Sequence, residues 1–321
     1  MQAVIYRRYG PPDVLETADV SEPAVGHDQL FVRVRATSVN PIDWKFRSGT
    51  PRIPLFGRTR IPGLDVAGEV VRSGSSVTRF KPGDEIYAML SAFAGGGCAE
   101  YAAVPERSAA VKPRNLTFEE AAAVPLAALT ALHTLRDRAR IQAGDRVLIN
   151  GASGGVGSFA VQIARMFGAE VTGVTSGKNL DLVRSLGAHH AIDYTVGDFT
   201  TGDRSYDVIF DTVSSRSFRQ CRAALSPRGI YLATLPQLST VIRMITGAVF
   251  GGKRSRVIMV RPSGPDLDRL REWIEAGRLH PVIDRVFPLR ETAAAHAYSE
   301  TGHAKGKIVI TVSGEEKTIV V

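Results

Sequence analysis

The chain has 321 residues, 44% of them hydrophobic and 22% charged, a balance of ordinary globular proteins rather than disordered or membrane-embedded ones. Its net charge is +8 with no run of five or six basic residues, so the sequence predicts no nucleic-acid partner; a basic groove for an anionic cofactor, plus ordinary solubility, explains the charge as well. Two cysteines, Cys98 and Cys221, lie far apart, which excludes a disulfide framework and a cysteine-built zinc lobe.

The opening "MQAVIYRRYGPP" reaches its arginines before any apolar core and predicts no secretion signal. No stretch approaches the roughly 20 apolar residues of a membrane helix, so the expectation is a cytoplasmic protein without stable membrane insertion. The first 120 residues read as short strands between turns: "QAVIY", "LFVRVRATSV", "DVAGEVVRSG" and "DEIYAML". Leu30, Val32 and Val34 alternate with Arg33 and Arg35, the period of a half-buried strand.

From about residue 118 the texture changes. "TFEEAAAVPLAALTALHTLRDRA" begins with a Thr117–Glu120 capping box and reads as a helical segment interrupted at Pro125. Strands and helices then alternate: "RVLIN", a helix over 155–167, "EVTGVT", a helix over "NLDLVRSLG", "HAIDY", "YDVIFDTV", a helix over "SFRQCRAAL", and "GIYLATL". This is the pattern of a doubly wound parallel α/β sheet. "DLDRLREWIEAGRL" returns to helix and "KGKIVITV" to strand. The predicted organisation is a dinucleotide-binding domain over 125–261 inserted into a β-rich domain built from 1–124 and 262–321.

"NGASGGVG", residues 150–157, falls at a predicted strand-to-helix turn, with Val156, Ala160, Ile163, Ala164 and Phe167 at helical spacing behind it. Unpaired amides at such a helix start attract phosphate, and Ala152, Gly154 and Gly157 fit the small-x-Gly-x-x-Gly dinucleotide pattern. Ala152, Ser153, Gly154, Gly155, Val156 and Gly157 are therefore expected to hold the cofactor. An NAD-preferring fold ends its second strand in an acid, whereas "AEVTGVTSGKN" ends in Thr175 and Ser176 with Lys178 just beyond. Two hydroxyls and an ammonium suit a 2′-phosphate, which predicts NADPH.

Together, "IPGLDVAGEVVRSGSSVTRFKPGDEIYA" (61–88), "LINGASGGVGSFAVQIA" and "KGKIVI" resemble the medium-chain dehydrogenase/reductase superfamily over nearly the whole chain. "SVNPIDWKFRSG" (38–49) is similar to its zinc-independent quinone and enone reductase branch, including plant alkenal/enone reductases. The resemblance implies a Rossmann doubly wound sheet inserted in a GroES-like catalytic domain, with the active site in the cleft between them; a homodimer is also expected.

Zinc-dependent members carry a Cys near the position of Asn40 and a His-Glu pair where Leu64-Asp65 stands here. Asp43 and Asp65 alone do not make a tetrahedral catalytic zinc site, so no metal is expected. The remaining chemistry is hydride transfer to an already polarised quinone or conjugated carbonyl, which needs positioning and hydrogen-bond donors. The resemblance places Asn40 near nicotinamide and substrate, although an Asn before Pro41 also forms turns. Lys45 stands where many quinone reductases have Tyr; it either donates to an enolate oxygen or pairs with Asp43 on the surface.

By the same resemblance Thr130 lies beside the nicotinamide, Tyr194 flanks the adenosine phosphate with Lys178, and Thr212, Val213, Leu235 and Val260 occupy the rim near the nicotinamide. The structural alternatives are a backbone-bonded helix threonine for Thr130 and an edge-strand aromatic for Tyr194. None of the seven histidines reads as catalytic. "PQLSTVIRMITGAVFGGKRSR" (236–256) reads as an amphipathic substrate cap, a subunit contact or a membrane-surface segment. The expected activity is NADPH-dependent, metal-independent reduction of quinones or α,β-unsaturated carbonyls. Two alternatives stay open: an enoyl-thioester reductase, and an NADPH-binding sensor without turnover.

Overall fold

The computed structural model describes residues 1–50, 59–201, 204–234 and 252–312. They divide into two compact units, Met1–Leu129 with Arg261–Gly277 and Pro281 onward, and Thr130–Val260 with Arg278–His280.

The first unit is mostly β. Strand β1 (Gln2–Ile5) pairs antiparallel with β2 (Glu16–Asp19). The long β3 (Gln29–Val39) runs antiparallel to β4 (Asp65–Ser73), which continues through β5 (Glu85–Met89) to β7 (Ala109–Val111), while β6 (Tyr101–Pro105) pairs with the first half of β3. The alternation of Leu30, Val32 and Val34 puts these side chains in a core with Val66, Val70, Ile86 and Val104. Helix α1 (Pro41–Ser48) follows β3 at once. Pro41 opens it, where a missing N–H costs nothing, and Gly49 ends it at φ +86°, in the left-handed region glycine favours. The predicted helical segment is broken at Pro125 into α2 (Phe118–Ala122) and α3 (Pro125–Leu132), and a π-helical turn runs on over His133–Ala139.

The second unit is a parallel sheet of β8 (Arg146–Asn150), β9 (Glu170–Thr175), β10 (His190–Asp193), β11 (Tyr206–Asp211), β12 (Leu225–Ala233) and β13 (Arg254–Val257). Among the described residues the order is β10-β9-β8-β11-β12-β13, the doubly wound Rossmann order, with α4 (Gly155–Met166) and α5 (Leu180–Ser185) as crossovers. The helix expected over "SFRQCRAAL" is shorter than its pattern suggests. It stops as α6 (Phe218–Cys221), because β12 begins at Leu225 to pair with Tyr206, ahead of the "GIYLATL" run.

Helix α7 (Gly264–Glu275), β14 (Ile283–Pro288), α8 (Thr292–Glu300) and β15 (Lys307–Thr311) complete the first unit. β15 pairs antiparallel with the second half of β3, so late and early chain share one sheet. Among the described residues, no helix is long and apolar enough to cross a membrane.

Candidate functional site

The turn between β8 and α4 brings the glycines where a phosphate would meet them. Gly151 sits at φ +81°, and a Cβ on Gly157 would lie 2.0 Å from the Gly151 carbonyl oxygen, so only glycine lets the helix start so close under the strand. No side chain caps α4, which leaves the amides of Gly155, Val156 and Gly157 at an uncapped positive helix end. Ala152 contributes differently from expectation: it is fully buried and its amide is spent on the Val174 carbonyl (2.9 Å), so it packs beneath the turn.

At the end of β9, Thr175 is buried and donates its hydroxyl to Ser153 Oγ (2.7 Å). Asn179 Nδ2 donates to the same oxygen (3.3 Å) and to Ser176 Oγ (3.2 Å). Thr175 thus ties strand to glycine turn, and of the three groups expected to read a 2′-phosphate only Ser176 and Lys178 reach solvent. Tyr194, half exposed, joins them because its amide donates to the Thr175 carbonyl (3.0 Å). The sequence missed a carboxylate at this corner. Asp193 on β10 lies level with Thr175, and it accepts from Thr195 N (2.9 Å) and Thr195 Oγ1 (2.8 Å), which hold its carboxyl below the usual range. A period-two strand reading cannot show which neighbouring strand end abuts which.

On the other side of the turn, Thr212 Oγ1 donates to the Asn150 carbonyl (2.8 Å) and Val213 stands half exposed beside it. Buried Asp211 binds the strand ends together, accepting from Asn150 Nδ2 (2.9 Å), Arg216 N (3.0 Å) and Tyr231 Oη (3.1 Å). Val260 lies just past β13, half-buried; Leu235 falls outside the described residues. Thr130 is buried on α3, with its carbonyl accepting from Thr134 Oγ1 (2.6 Å).

The first unit holds the second constellation. Asn40, 2% exposed, heads α1 with its side chain turned into a polar cluster: Nδ2 donates to Asp65 Oδ2 (2.8 Å) and Oδ1 accepts from Lys307 Nζ (2.5 Å). Asp65, fully buried, also accepts from Ser38 Oγ (2.5 Å), from the Leu126 amide at the start of α3 (2.7 Å) and from Lys307 (3.4 Å). Asp43 in the first turn of α1 accepts from the amides of Asn40 (2.8 Å) and Gly63 (3.3 Å). Burial pushes its carboxyl up to about 7 despite the Asn40 amide, and the charge of Asp65 adds to the rise. Burial likewise pushes the Lys307 ammonium down, opposed by Asp65.

This arrangement corrects the surface pairing of Lys45 with Asp43. Asp43 is buried on backbone amides, while half-buried Lys45 lies over the Trp44 ring (5.2 Å to the centroid) and has no ion-pair partner among the described residues. Lys307 escaped sequence reasoning, since a lysine at the head of a strand reads as solvated. Nothing local marks it; its partners come from residues 38–65. Among the described residues, no group of three His, Cys, Asp or Glu side chains is placed to hold a metal ion. The oxygens of Asn40 and Asp65 are instead occupied by a lysine ammonium.

In the last turn of α1, Arg47 is 1% exposed and pairs with Glu300. His296 on α8 is buried, and burial together with the Arg47 charge pushes its imidazole down to about 3.

Residues 26–114 match the alcohol dehydrogenase GroES-like domain family, and residues 186–310 match a family described as zinc-binding dehydrogenase. The chain is 35% identical to a chloroplastic quinone-oxidoreductase homolog of Spinacia oleracea, over 97% of this chain and 98% of the relative. It is 38% identical to a chloroplastic NADPH-dependent alkenal/one oxidoreductase of Arabidopsis thaliana, over 97% and 79%. Among solved structures, the quinone oxidoreductase from Coxiella burnetii superposes with a TM-score of 0.88 at 29% identity, over 98% of this chain and 99% of that one.

Proposed function

The chain belongs to the medium-chain dehydrogenase/reductase superfamily, in its quinone and enone oxidoreductase branch, and from that premise we propose an NADPH-dependent, metal-independent reductase of quinones or α,β-unsaturated carbonyls. The observation that carries the reading is the contact of Lys307 with Asn40 and Asp65. With these oxygens engaged by an ammonium, a Lewis-acid metal has no donor set there, and the acceptor must already be polarised. This favours a conjugated carbonyl or quinone over a simple alcohol or ketone.

NADPH, when bound, supplies the hydride. The amides of Gly155, Val156 and Gly157 hold the pyrophosphate, and Ser176 and Lys178 take the 2′-phosphate by charge-assisted hydrogen bonds. Asn40 has one N–H committed to Asp65, which leaves the second to donate to an oxygen where negative charge gathers. Lys307 and Asp65 fix the plane of that amide, so it needs little reorganisation as the charge develops.

The test is NADPH oxidation against quinones, enones, enals, enoyl-thioesters and simple ketones. Turnover confined to the first three is expected. Turnover confined to enoyl-thioesters, or none with NADPH still bound, overturns the reading.

A further inference from the structure

Between Asp211 and Asp266 the sequence has no acidic residue, yet it holds nine Arg or Lys, more than the net +8 of the entire chain. The fold gathers five of these at one place. Arg254 opens β13 level with Ile230 of β12, and Arg228 lies two residues before Ile230. Lys253 Nζ donates to the Arg222 carbonyl (2.7 Å), and Arg219 is one helical turn before Arg222. Arg219, Arg222, Arg228 and Arg254 are exposed, and among the described residues neither they nor Lys253 pair with a carboxylate. Arg216 differs, because it pairs with Asp198.

The cluster sits at the amino ends of β12 and β13. Cofactor phosphates belong to the opposite, carboxyl ends, where Asn150, Thr175 and Asp211 stand. From Ile230 to Ala233 the strand rises roughly 10 Å, so the cluster is separate from the glycine turn. NADPH therefore does not account for it.

We propose that this edge of the dinucleotide-binding unit docks on the anionic surface of a lipid bilayer. Protein partners need an apolar anchor, and no exposed large hydrophobic side chain falls within residues 219–228 or at 253–254. Single-stranded nucleic acid needs exposed aromatic platforms, but the aromatic neighbours Phe218 and Tyr231 are buried. A duplex groove needs a helix or ribbon that enters it, and α6 has four residues. A headgroup surface requires only a rigid array of unpaired cations.

The experiment is co-sedimentation of the full chain with phosphatidylcholine vesicles, with and without phosphatidylglycerol, at low and high salt. Binding is expected only to the anionic vesicles and is expected to fall with salt, each cation contributing about fivefold. The triple variant Arg222→Glu, Lys253→Glu, Arg254→Glu is expected to bind more than about a hundredfold more weakly, and Arg228→Glu alone about fivefold or more. Lys81→Glu, on an exposed turn of the other unit, is expected to bind as the parent does. Absence of binding to anionic vesicles, or binding unaffected by either patch variant, overturns the proposal. So does tighter binding to duplex DNA at the same salt that the triple variant abolishes. Unchanged NADPH oxidation by the variants in solution separates this result from the substrate assignment.

Discussion

The ammonium of Lys307 lies 2.5 Å from the amide oxygen of Asn40, across 267 positions of sequence. A buried cation held between an amide and a carboxylate neutralises Asp65 and fixes which way the Asn40 amide faces.

Lys307→Met is therefore expected to leave Asp65 buried without its counter-charge, at a cost of about 3–5 kcal/mol in urea unfolding. Asp65→Asn combined with Lys307→Met is expected to recover part of that loss. Additive losses would show that the two side chains are not energetically coupled.

Activity is expected to survive exhaustive chelation unchanged. Inactivation that zinc reverses would place a metal in the reaction after all.

Lys178→Glu is expected to raise the KM for NADPH by about tenfold or more while the KM for NADH moves by less than about twofold, since only one cofactor carries the 2′-phosphate. Equal changes would mean that the lysine does not read the phosphate.

Gly157→Ala places a methyl against the Gly151 carbonyl, so NADPH affinity in a fluorescence titration is expected to collapse. Wild-type affinity in this variant would mean that the turn can relax by more than an ångström.

Two buried groups oppose each other in acid. His296, at about 3 when folded against 6.5 as its ordinary value, binds a proton on unfolding and makes stability rise with pH across that window. Asp43, at about 7 folded against 3.8, releases one on unfolding and makes stability fall between those values. Each slope is limited to about 1.4 kcal/mol per pH unit, so the parent is expected to be nearly flat from pH 4 to 6. Asp43→Asn is expected to unmask stability that falls with acid, and His296→Gln stability that falls with alkali. Parallel profiles for the two variants would refute both assignments.

The glycine turn and its flanking strand and helix were legible because every part of the signal is local: a hydrophobic period and a run of small residues. Asn40 was legible as a candidate, but its environment was not. Its partners Asp65 and Lys307 are brought to it by the pairing of β3 with β4 and β15, which no local pattern encodes. Thr175 shows the converse. Its place at a strand end suggested a ligand contact, while Ser153 across the turn had already claimed its hydroxyl. The acid-free stretch was present in the sequence too, but a search for consecutive basic residues overlooks charge that accumulates through missing acids.

Because β15 closes the second half of β3, the order of synthesis matters. Asn40 and Asp65 leave the ribosome long before Lys307, with the whole dinucleotide-binding unit made in between. The nascent first unit must carry that carboxylate without its counter-charge, so its core is completed last. The inserted unit is free to fold while that gap stays open.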